Sequence, residues 1–361
     1  MIDENYKLSD SLCGWYEENK RDLPWRNTNN PYLIWLSEII LQQTRVAQGM
    51  DYFLKFKTHY PTVKDLAMAS EDEVLKDWQG LGYYSRARNL HAAAKYIVEE
   101  LDGKFPNTFI EIKKLKGVGD YTASAISSFA FKQPHAVVDG NVYRVLSRYY
   151  GIGTAIDSTA GKKEFQKIAS QILNPKTPDT HNQAIMEFGA LQCTQKSPNC
   201  SNCPIRNNCI AFQDELINQL PFKVGKIKQR KRYFNYLVIE HKNSLLIEKR
   251  EGKGIWQNLY QFPLIETDKE IDSKILITTE AFKELIKTNK YEIYAESDVR
   301  KHILSHQILF AKFYHLRLSD TARNLNEKYS EISTSKLAEY AVPKLIDNYV
   351  REETNLLSLP K

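Results

Sequence analysis

The chain has 361 residues, of which 42% are hydrophobic and 26% charged, and this length indicates two globular domains with a linker rather than one core. No run of ~18 apolar residues suits a membrane span, and the polar, acidic N-terminus lacks the basic start and apolar run of a secretory signal. We therefore expect a cytoplasmic protein without membrane contact, and the placement of its net charge of +6 matters more than its size.

Residues 1–215 are predicted to be all-α, because apolar residues recur at helical spacing and strand alternation is absent. The pattern predicts helices over residues 32–44, 71–78, 86–101, 110–116, 121–131 and 141–150. This half is expected to form one helical domain.

A basic linker is predicted over residues 216–232. Its part 221–232 carries six basic residues and no acidic one, and the rest of the chain has 44 of each sign. Such a run is either a solvated linker or a tether that contacts phosphates.

Residues 233–361 are predicted to form an α+β domain. Aliphatic, β-branched and aromatic residues predict strands over 233–240 and 245–250 and extended segments between 303 and 318. Helices are predicted over 280–287 and 335–349.

Four of the five cysteines lie within residues 193–209, with the spacing C-x6-C-x2-C-x5-C: Cys193, Cys200, Cys203 and Cys209. Reduced, clustered thiols favour a metal site over disulfides. Four thiolates can hold either zinc or a [4Fe–4S] cluster, and the chemistry alone leaves both open.

A glycine turn at Gly117 and Gly119 lies between two predicted helices. Alternate glycines allow positive φ and a close approach of backbone amides to an anion, and the next helix adds its N-terminal dipole. An ordinary connection between helices has the same pattern, so the turn alone does not establish phosphate binding.

Two carboxylates are candidates for catalysis. Glu38 lies in an apolar helix, where burial would raise its pKa toward that of a general acid, although an exposed position is the alternative. Asp139 precedes a helix and so suits an N-cap, yet a carboxylate there can also stabilise positive charge that develops during a reaction.

Together the cysteine spacing, the hairpin and the segment Val137 to Val142 resemble the endonuclease III superfamily of helix-hairpin-helix DNA glycosylases. The resemblance implies a [4Fe–4S] cluster on the four cysteines and a catalytic role for Asp139, with Asn141 beside it. Asp120 departs from the basic or neutral residue usual beside the second glycine, which should weaken phosphate binding slightly.

The helix around Glu38 is similar to that of adenine glycosylases, in which this Glu protonates N7 of the flipped adenine. Bifunctional members carry a lysine where this chain has Tyr121, and tyrosine supplies no amine nucleophile, so the resemblance implies a monofunctional hydrolase.

The same resemblance assigns further contacts. Gln43, Thr44, Leu81 and Tyr83 would fill or flank the gap that the flipped base leaves and contact the opposite base. The adenine pocket would include Trp25, Arg26 and Gln183.

The C-terminal domain resembles the Nudix-like domain of adenine glycosylases. The segment after Gly252 lacks the acidic helix that holds magnesium in catalytic Nudix proteins, so no pyrophosphatase activity is expected. Ser305 and His306 match the loop that contacts 8-oxoguanine, with Leu304 in place of the family's phenylalanine; polar strand residues are the alternative.

We therefore expect a monomeric base-excision enzyme, associated with the nucleoid, that removes adenine from A·8-oxoguanine or A·G pairs in double-stranded DNA. One rival is a thymine-mismatch or oxidised-pyrimidine glycosylase on the same scaffold. The other is a DNA-binding or redox-sensing module without activity. Glu38, Asp139 and the C-terminal domain argue against both.

Overall fold

The computed structural model describes residues 2–225, 228–287, 290–319 and 328–352. Residues 226 and 227 of the predicted linker lie outside this part. So do residues 353–361 of the predicted C-terminal domain.

The chain forms two compact units, each made of two stretches of sequence. The first contains Met1–Met68 and Asn89–Gly225, and the second contains Ala69–Arg88 and Lys226–Lys361. The segment 69–88 therefore belongs to the second unit, although it lies within the helical half of the sequence. The division into domains 1–215 and 233–361 with a linker at 216–232 stays a prediction.

Residues 2–225 are helical, as predicted, and contain no strand in their described part. The helices are α1 (Ile2–Asn19), α2 (Pro31–Leu41), α3 (Val46–His59), α4 (Val63–Met68), α5 (Glu71–Asp77), α6 (Ser85–Glu100), α7 (Phe109–Lys114), α8 (Asp120–Phe131), α9 (Gly140–Tyr150), α10 (Thr159–Ile172), α11 (Pro178–Leu191) and α12 (Ile210–Gln213). A short 3-10 helix covers Arg206–Asn208.

Local signals fix several of these helix ends. The side chain of Asn30 accepts hydrogen bonds from the first amides of α2, and Pro31 occupies the first turn, where a missing N–H costs nothing. Asp139 caps α9 in the same way, and Gly151 ends α9 in the left-handed region at φ +66°.

Helices α2 and α8 pack against each other and form the centre of the first unit. Helix α2 is buried from Ile34 to Ile40, and α8 from Thr122 to Phe129. Small side chains such as Ala123 and Ala125 allow α8 to lie close to its neighbours. Consequently the polar residues at the ends of these two helices are held on a rigid, fully packed support.

Helix α2 ends three residues earlier than predicted. Gln43 takes the left-handed conformation at φ +56°, which stops the helix, and α3 starts soon afterwards with Arg45 as its N-cap residue. Gln43 and Thr44 therefore lie on a turn.

From residue 230 onward, runs of strands are followed by helices, which confirms the predicted α+β character. The elements are β1 (Arg230–His241), β2 (Ser244–Lys249), β3 (Tyr260–Gln261), β4 (Leu264–Thr267), α13 (Ser273–Leu276), α14 (Glu280–Ile286), β5 (Tyr291–Glu296), β6 (Arg300–Ile303), β7 (Gln307–Leu318), β8 (Tyr329–Ser333) and α15 (Lys344–Glu352), with a 3-10 helix over Thr334–Glu339.

The strands form one mixed sheet in the order β3-β2-β1-β7-β5, to which β4, β6 and β8 add by pairing with β1, β7 and β2. Its centre is the parallel pair β1 and β7, in register from Arg230 with Gln307 to Glu240 with Arg317. The parallel strands are buried on both faces. Leu237 and Leu316 face α13 and α14, and Tyr236 and Phe313 face the ring of Tyr349 in α15.

The predicted terminal helix over 335–349 is wrong in its bounds. A 3-10 helix ends at Glu339, and α15 begins only at Lys344. Pro343 lies between them, and proline disfavours a helical conformation at the residue before it.

Within the described ranges, no helix is both long enough and apolar enough to cross a bilayer.

Candidate active site

A cavity of about 850 Å³ opens in the first unit, where the end of α2 and the starts of α8 and α9 converge. Helix α11 and the segment before α2 complete its walls. Ten residues that the sequence singled out line it: Trp25, Arg26, Glu38, Gln43, Thr44, Gly119, Tyr121, Asp139, Asn141 and Gln183. Residues 157 positions apart in the sequence thus meet at one cavity.

Glu38 lies on the buried wall of this cavity, with 8% of its surface exposed. Burial raises its pKa to about 7, and the nearby charge of Asp139 adds to the rise. A hydrogen bond from the hydroxyl of Tyr121 and the charge of Arg26 oppose it. Glu38 therefore holds a proton near neutral pH and releases it readily, which is the property of a general acid.

Asp139 is half-buried at the N-terminus of α9. One carboxylate oxygen accepts hydrogen bonds from the backbone amides of Asn141 and Val142, both at 2.8 Å, and the other accepts one from Asn141 Nδ2 at 2.9 Å. Burial raises the pKa of Asp139, while these hydrogen bonds and Arg144 oppose the rise. Three donors stabilise the charged form and fix the carboxylate in one orientation.

Three charged residues that line the cavity were missed by the sequence reasoning: Arg21, Arg45 and Glu187. Glu187 is 1% exposed and forms bidentate ion pairs with Arg21, at 2.7 and 2.5 Å, and with Arg26, at 2.9 and 2.8 Å. Burial alone would raise the pKa of Glu187, but the hydrogen bonds from Arg21 and Arg26 outweigh it and lower the pKa to about 2. Arg26 Nε also donates to Gln183 Oε1 at 3.0 Å.

A sequence signal for Glu187 did exist. Like Glu38, it is a carboxylate among apolar residues of a helix, between Met186 and Phe188. Its partners lie more than 160 positions away, and only the fold brings them together.

The predicted hairpin connects α7 to α8. Gly117 has φ +83°, and a Cβ atom there would lie 2.8 Å from the Cβ of Asn89, so two independent reasons require glycine. Gly119 caps α8 and has open space around it. The exposed Asp120 pairs with Lys113 at 2.5 Å, which partly neutralises the acidic residue that departs from the family pattern.

The four clustered cysteines line one cavity in the first unit. Arg148 lies among them, with a guanidinium nitrogen 3.5 Å from Cys193 Sγ and its carbonyl oxygen 3.5 Å from Cys209 Sγ. No three His, Cys, Asp or Glu side chains in the described part of the chain stand at metal-binding spacing. The fold thus gathers the four thiols, and a metal on them stays a prediction.

The remaining predicted residues lie in the second unit. In the turn between α5 and α6, Leu81 is buried, whereas Tyr83 is 48% exposed and has φ +49°. Ser305 and His306 lie on the hairpin between β6 and β7, not within a strand. The hydroxyl oxygens of Tyr83 and Ser305 are 2.6 Å apart, so the two segments meet through one hydrogen bond.

Family models match both halves of the chain. Residues 36–175 match the HhH-GPD superfamily of base excision DNA repair proteins, and residues 235–352 match the NUDIX domain. The first match includes the cavity carboxylates Glu38 and Asp139 and the glycine hairpin.

Among solved structures, a thermostable thymine-DNA glycosylase is 28% identical with a TM-score of 0.55, covering 59% of this chain and 98% of that one. An endonuclease III bound to DNA as a trapped covalent intermediate is 22% identical with a TM-score of 0.53, covering 60% of this chain and 99% of that one. The latter likeness concerns the fold alone.

Curated relatives extend the similarity into the second half. The adenine DNA glycosylase of Buchnera aphidicola subsp. Baizongia pistaciae is 35% identical over 307 residues, which cover 83% of each protein. The human adenine DNA glycosylase is 46% identical over 212 residues, which cover 56% of this chain and 39% of the human protein. With these similarities, and with a buried glutamic acid and a helix-capping aspartate on one cavity, the chain is a DNA glycosylase that belongs to the adenine DNA glycosylase family.

Proposed function

We propose that the protein hydrolyses the N-glycosidic bond of adenine opposite 8-oxoguanine or guanine in duplex DNA and leaves an abasic site. The observation that carries the proposal is the pair Glu38 and Asp139. One is a buried acid with a pKa of about 7 and the other is a carboxylate held by three donors, and both lie on one cavity.

Glu38 protonates N7 of the flipped adenine, which makes the base a better leaving group as the bond to the sugar breaks. Positive charge then develops on the sugar, and the fixed carboxylate of Asp139 stabilises it, either through space or by a transient bond. Water adds to the sugar carbon and gives the abasic site. Asn141 supports this step because its side chain holds one of the Asp139 oxygens.

Tyr121 sets the reaction class. Its phenol cannot form a Schiff base with the sugar, so base release proceeds without cleavage of the DNA backbone by an amine. Its hydroxyl donates to Glu38, and burial together with the charges of Glu38 and Asp139 raises its own pKa well above the ordinary value. Tyr121 therefore stays protonated and keeps this hydrogen bond through the reaction.

The adenine pocket is formed by Trp25, Arg26 and Gln183. Trp25 offers an apolar ring wall and is 7% exposed. Because Gln183 Oε1 already accepts from Arg26, its amide nitrogen is oriented to donate to a ring nitrogen of the base. The buried Glu187 fixes Arg26 and thereby this orientation.

Recognition of the opposite base is assigned to exposed residues. Tyr83 has the aromatic ring and the exposure that a wedge between base pairs requires, with Leu81 beneath it. Ser305 and His306 supply hydrogen-bonding groups for 8-oxoguanine, and Gln43 and Thr44 line the cavity next to the flipped base. Gly117 and Gly119 form the hairpin for a DNA phosphate.

A [4Fe–4S] cluster on Cys193, Cys200, Cys203 and Cys209 is part of the proposal. The spacing of the four cysteines and the fact that their side chains line one cavity support it, and when bound the cluster would supply redox chemistry and cross-link the loop. Elemental analysis separates the alternatives, with about four iron atoms per chain for the cluster and one zinc for a tetrahedral site.

The decisive experiment incubates the purified protein with duplexes that contain A·8-oxoguanine, A·G, T·G or thymine glycol. We expect alkali-labile sites in the adenine strand of the first two and none in the others. Cleavage at T·G or thymine glycol would instead favour the pyrimidine rival, and an inert protein on all four would support the binding module. Sedimentation of the same sample tests the expected monomer.

A further inference from the structure

The hydrogen bonds of the Asp139 side chain do not hold the backbone segment that precedes it. All of its donors belong to α9 itself, which the aspartate caps. The residues before it, from 132 to 138, form neither helix nor strand. A carboxylate on such a segment would move with it unless other groups held the backbone.

Asn182 of α11 supplies that restraint. It is 1% exposed, and its side-chain oxygen accepts a hydrogen bond from the amide of Val137 at 3.1 Å. Its nitrogen donates to the carbonyl of His135 at 2.9 Å and to Ser128 Oγ at 2.9 Å. A primary amide has the donor and acceptor of a peptide group, so Asn182 pairs with alternate residues of the segment as a neighbouring strand would.

A second side-chain amide, that of Gln166, holds the peptide group of Ala136, which lies between His135 and Val137. Gln166 of α10 is exposed, and its Nε2 donates to the carbonyl of Ala136 at 3.1 Å. Side chains from two helices thus form hydrogen bonds with the backbone of three consecutive residues, 135 to 137, immediately before Val138 and Asp139.

The helix that carries Asn182 also carries Gln183, which lines the cavity. One turn of α11 therefore contributes to the wall of the proposed base pocket through Gln183. The same turn fixes the backbone before Asp139 through Asn182. Displacements of about 1 Å at a reacting group cost up to about a hundredfold in rate, so this restraint matters for chemistry more than for affinity.

We propose that Asn182, assisted by Gln166, is a positioning residue that places Asp139 against the sugar by fixing the backbone of residues 135–137. The inference rests on the proposed function, because it takes Asp139 as the carboxylate that faces the reacting carbon.

The test compares Asn182→Ala with His181→Ala in the full-length protein. His181 is the neighbouring residue on α11 and is 2% exposed, and its ring Nδ1 forms a hydrogen bond with Ser9 Oγ in α1 at 2.7 Å. Both variants remove a buried polar side chain from the same helix, but only one releases the segment before Asp139. Three quantities are measured: the single-turnover rate of adenine release, the Kd for a duplex carrying non-hydrolysable 2′-fluoro-2′-deoxyadenosine, and the Tm.

For Asn182→Ala we expect a release rate at least about tenfold lower, with Kd close to that of the unsubstituted protein. His181→Ala should lower Tm by a similar amount and leave the rate within about twofold. Gln166→Ala, which removes little buried surface, should lower the rate about threefold, and it provides the result if Asn182→Ala does not fold.

Equal rates for Asn182→Ala and His181→Ala, or an unaffected Gln166→Ala where the first variant is unfolded, would overturn the inference. A rise in Kd with no fall in the release rate would do the same. Failure of the proposed function is separate, because it shows as the absence of adenine release by the unsubstituted protein.

Discussion

The cavity of the first unit contains buried charged side chains, whereas the turn at Tyr83 in the second unit presents uncharged side chains that solvent reaches. Around the cavity, carboxylates and guanidinium groups are buried together, and the pKa values of Glu38 and Glu187 move to about 7 and about 2. At the turn, Tyr83 and Ser305 are neutral, solvent-accessible and joined by one hydrogen bond. Buried charges contribute far more energy per contact than exposed hydroxyls, so chemistry and recognition should differ in their sensitivity to substitution.

The largest expected effect is that of Glu38→Gln. The amide keeps the size of the side chain but carries no transferable proton, so the single-turnover rate of adenine release should fall by about a thousandfold or more. Lesion binding, measured with the non-hydrolysable duplex, should change little. Full turnover by this variant would show that another group is the acid.

The pH dependence of the same rate sharpens the comparison. Glu38 acts in its protonated form, and its pKa of about 7 lies above the ordinary value. The rate should therefore be maintained below pH 7 and fall about tenfold per pH unit above it. At the acidic end it should fall again as Asp139, whose pKa burial also raises, becomes protonated. A profile that stays flat from about one pH unit below the Glu38 pKa to about two units above it contradicts the assignment.

Tyr121→Phe should move that profile in a known direction. The tyrosine hydroxyl donates to Glu38 and lowers its pKa, so its removal should shift the descending limb to higher pH. Loss of one hydrogen bond to a charged group should also lower the plateau rate by about tenfold. A limb that stays in place or shifts to lower pH would show that the hydrogen bond does not act on Glu38.

The smallest effect is expected at the turn. Tyr83→Phe and Ser305→Ala each remove one side of the same hydrogen bond, and each should lower the preference for A·8-oxoguanine over A·G about threefold. The double variant should lose no more than either single one. Tyr96→Phe, at a tyrosine that is 42% exposed in α6, is the matched control and should leave the preference unchanged. If the double variant lost as much preference as the two single variants together, the two hydroxyls would act independently and not through their shared hydrogen bond.

Sequence reasoning located elements whose signals are local. The start of α2 follows from Asn30 and Pro31, and the start of α9 follows from Asp139, because capping depends on neighbouring residues alone. Glu38, Tyr121 and Asp139 were chosen by residue type and family pattern, and the structure places them around one cavity.

What the sequence did not reveal depends on distant partners. Glu187 becomes a fixed anion only because Arg21 and Arg26 reach it across the fold. The strand β1 begins at Arg230, inside the predicted basic linker, because it pairs with β7 in parallel from Gln307 onward. Periodicity within a short window carries no information on such partners.

The segment 69–88 has the same character. It is helical by pattern, yet Asp72 bonds to Lys249 at 2.6 Å and to Tyr260 at 3.0 Å, and Gln79 bonds to Asp347 at 3.0 Å. These side-chain pairs, and not the periodicity of its own sequence, determine that the segment belongs to the second unit.

This affiliation has a consequence for modularity. A chain divided in the linker would carry residues 69–88 on one fragment and their partners Lys249, Tyr260 and Asp347 on the other. The sequences before and after the linker therefore cannot be exchanged independently between relatives. A chimaera that takes its C-terminal half from a relative must also take the relative's counterpart of residues 69–88, which includes Tyr83, so the surface that we propose for lesion recognition is inherited as one discontinuous block.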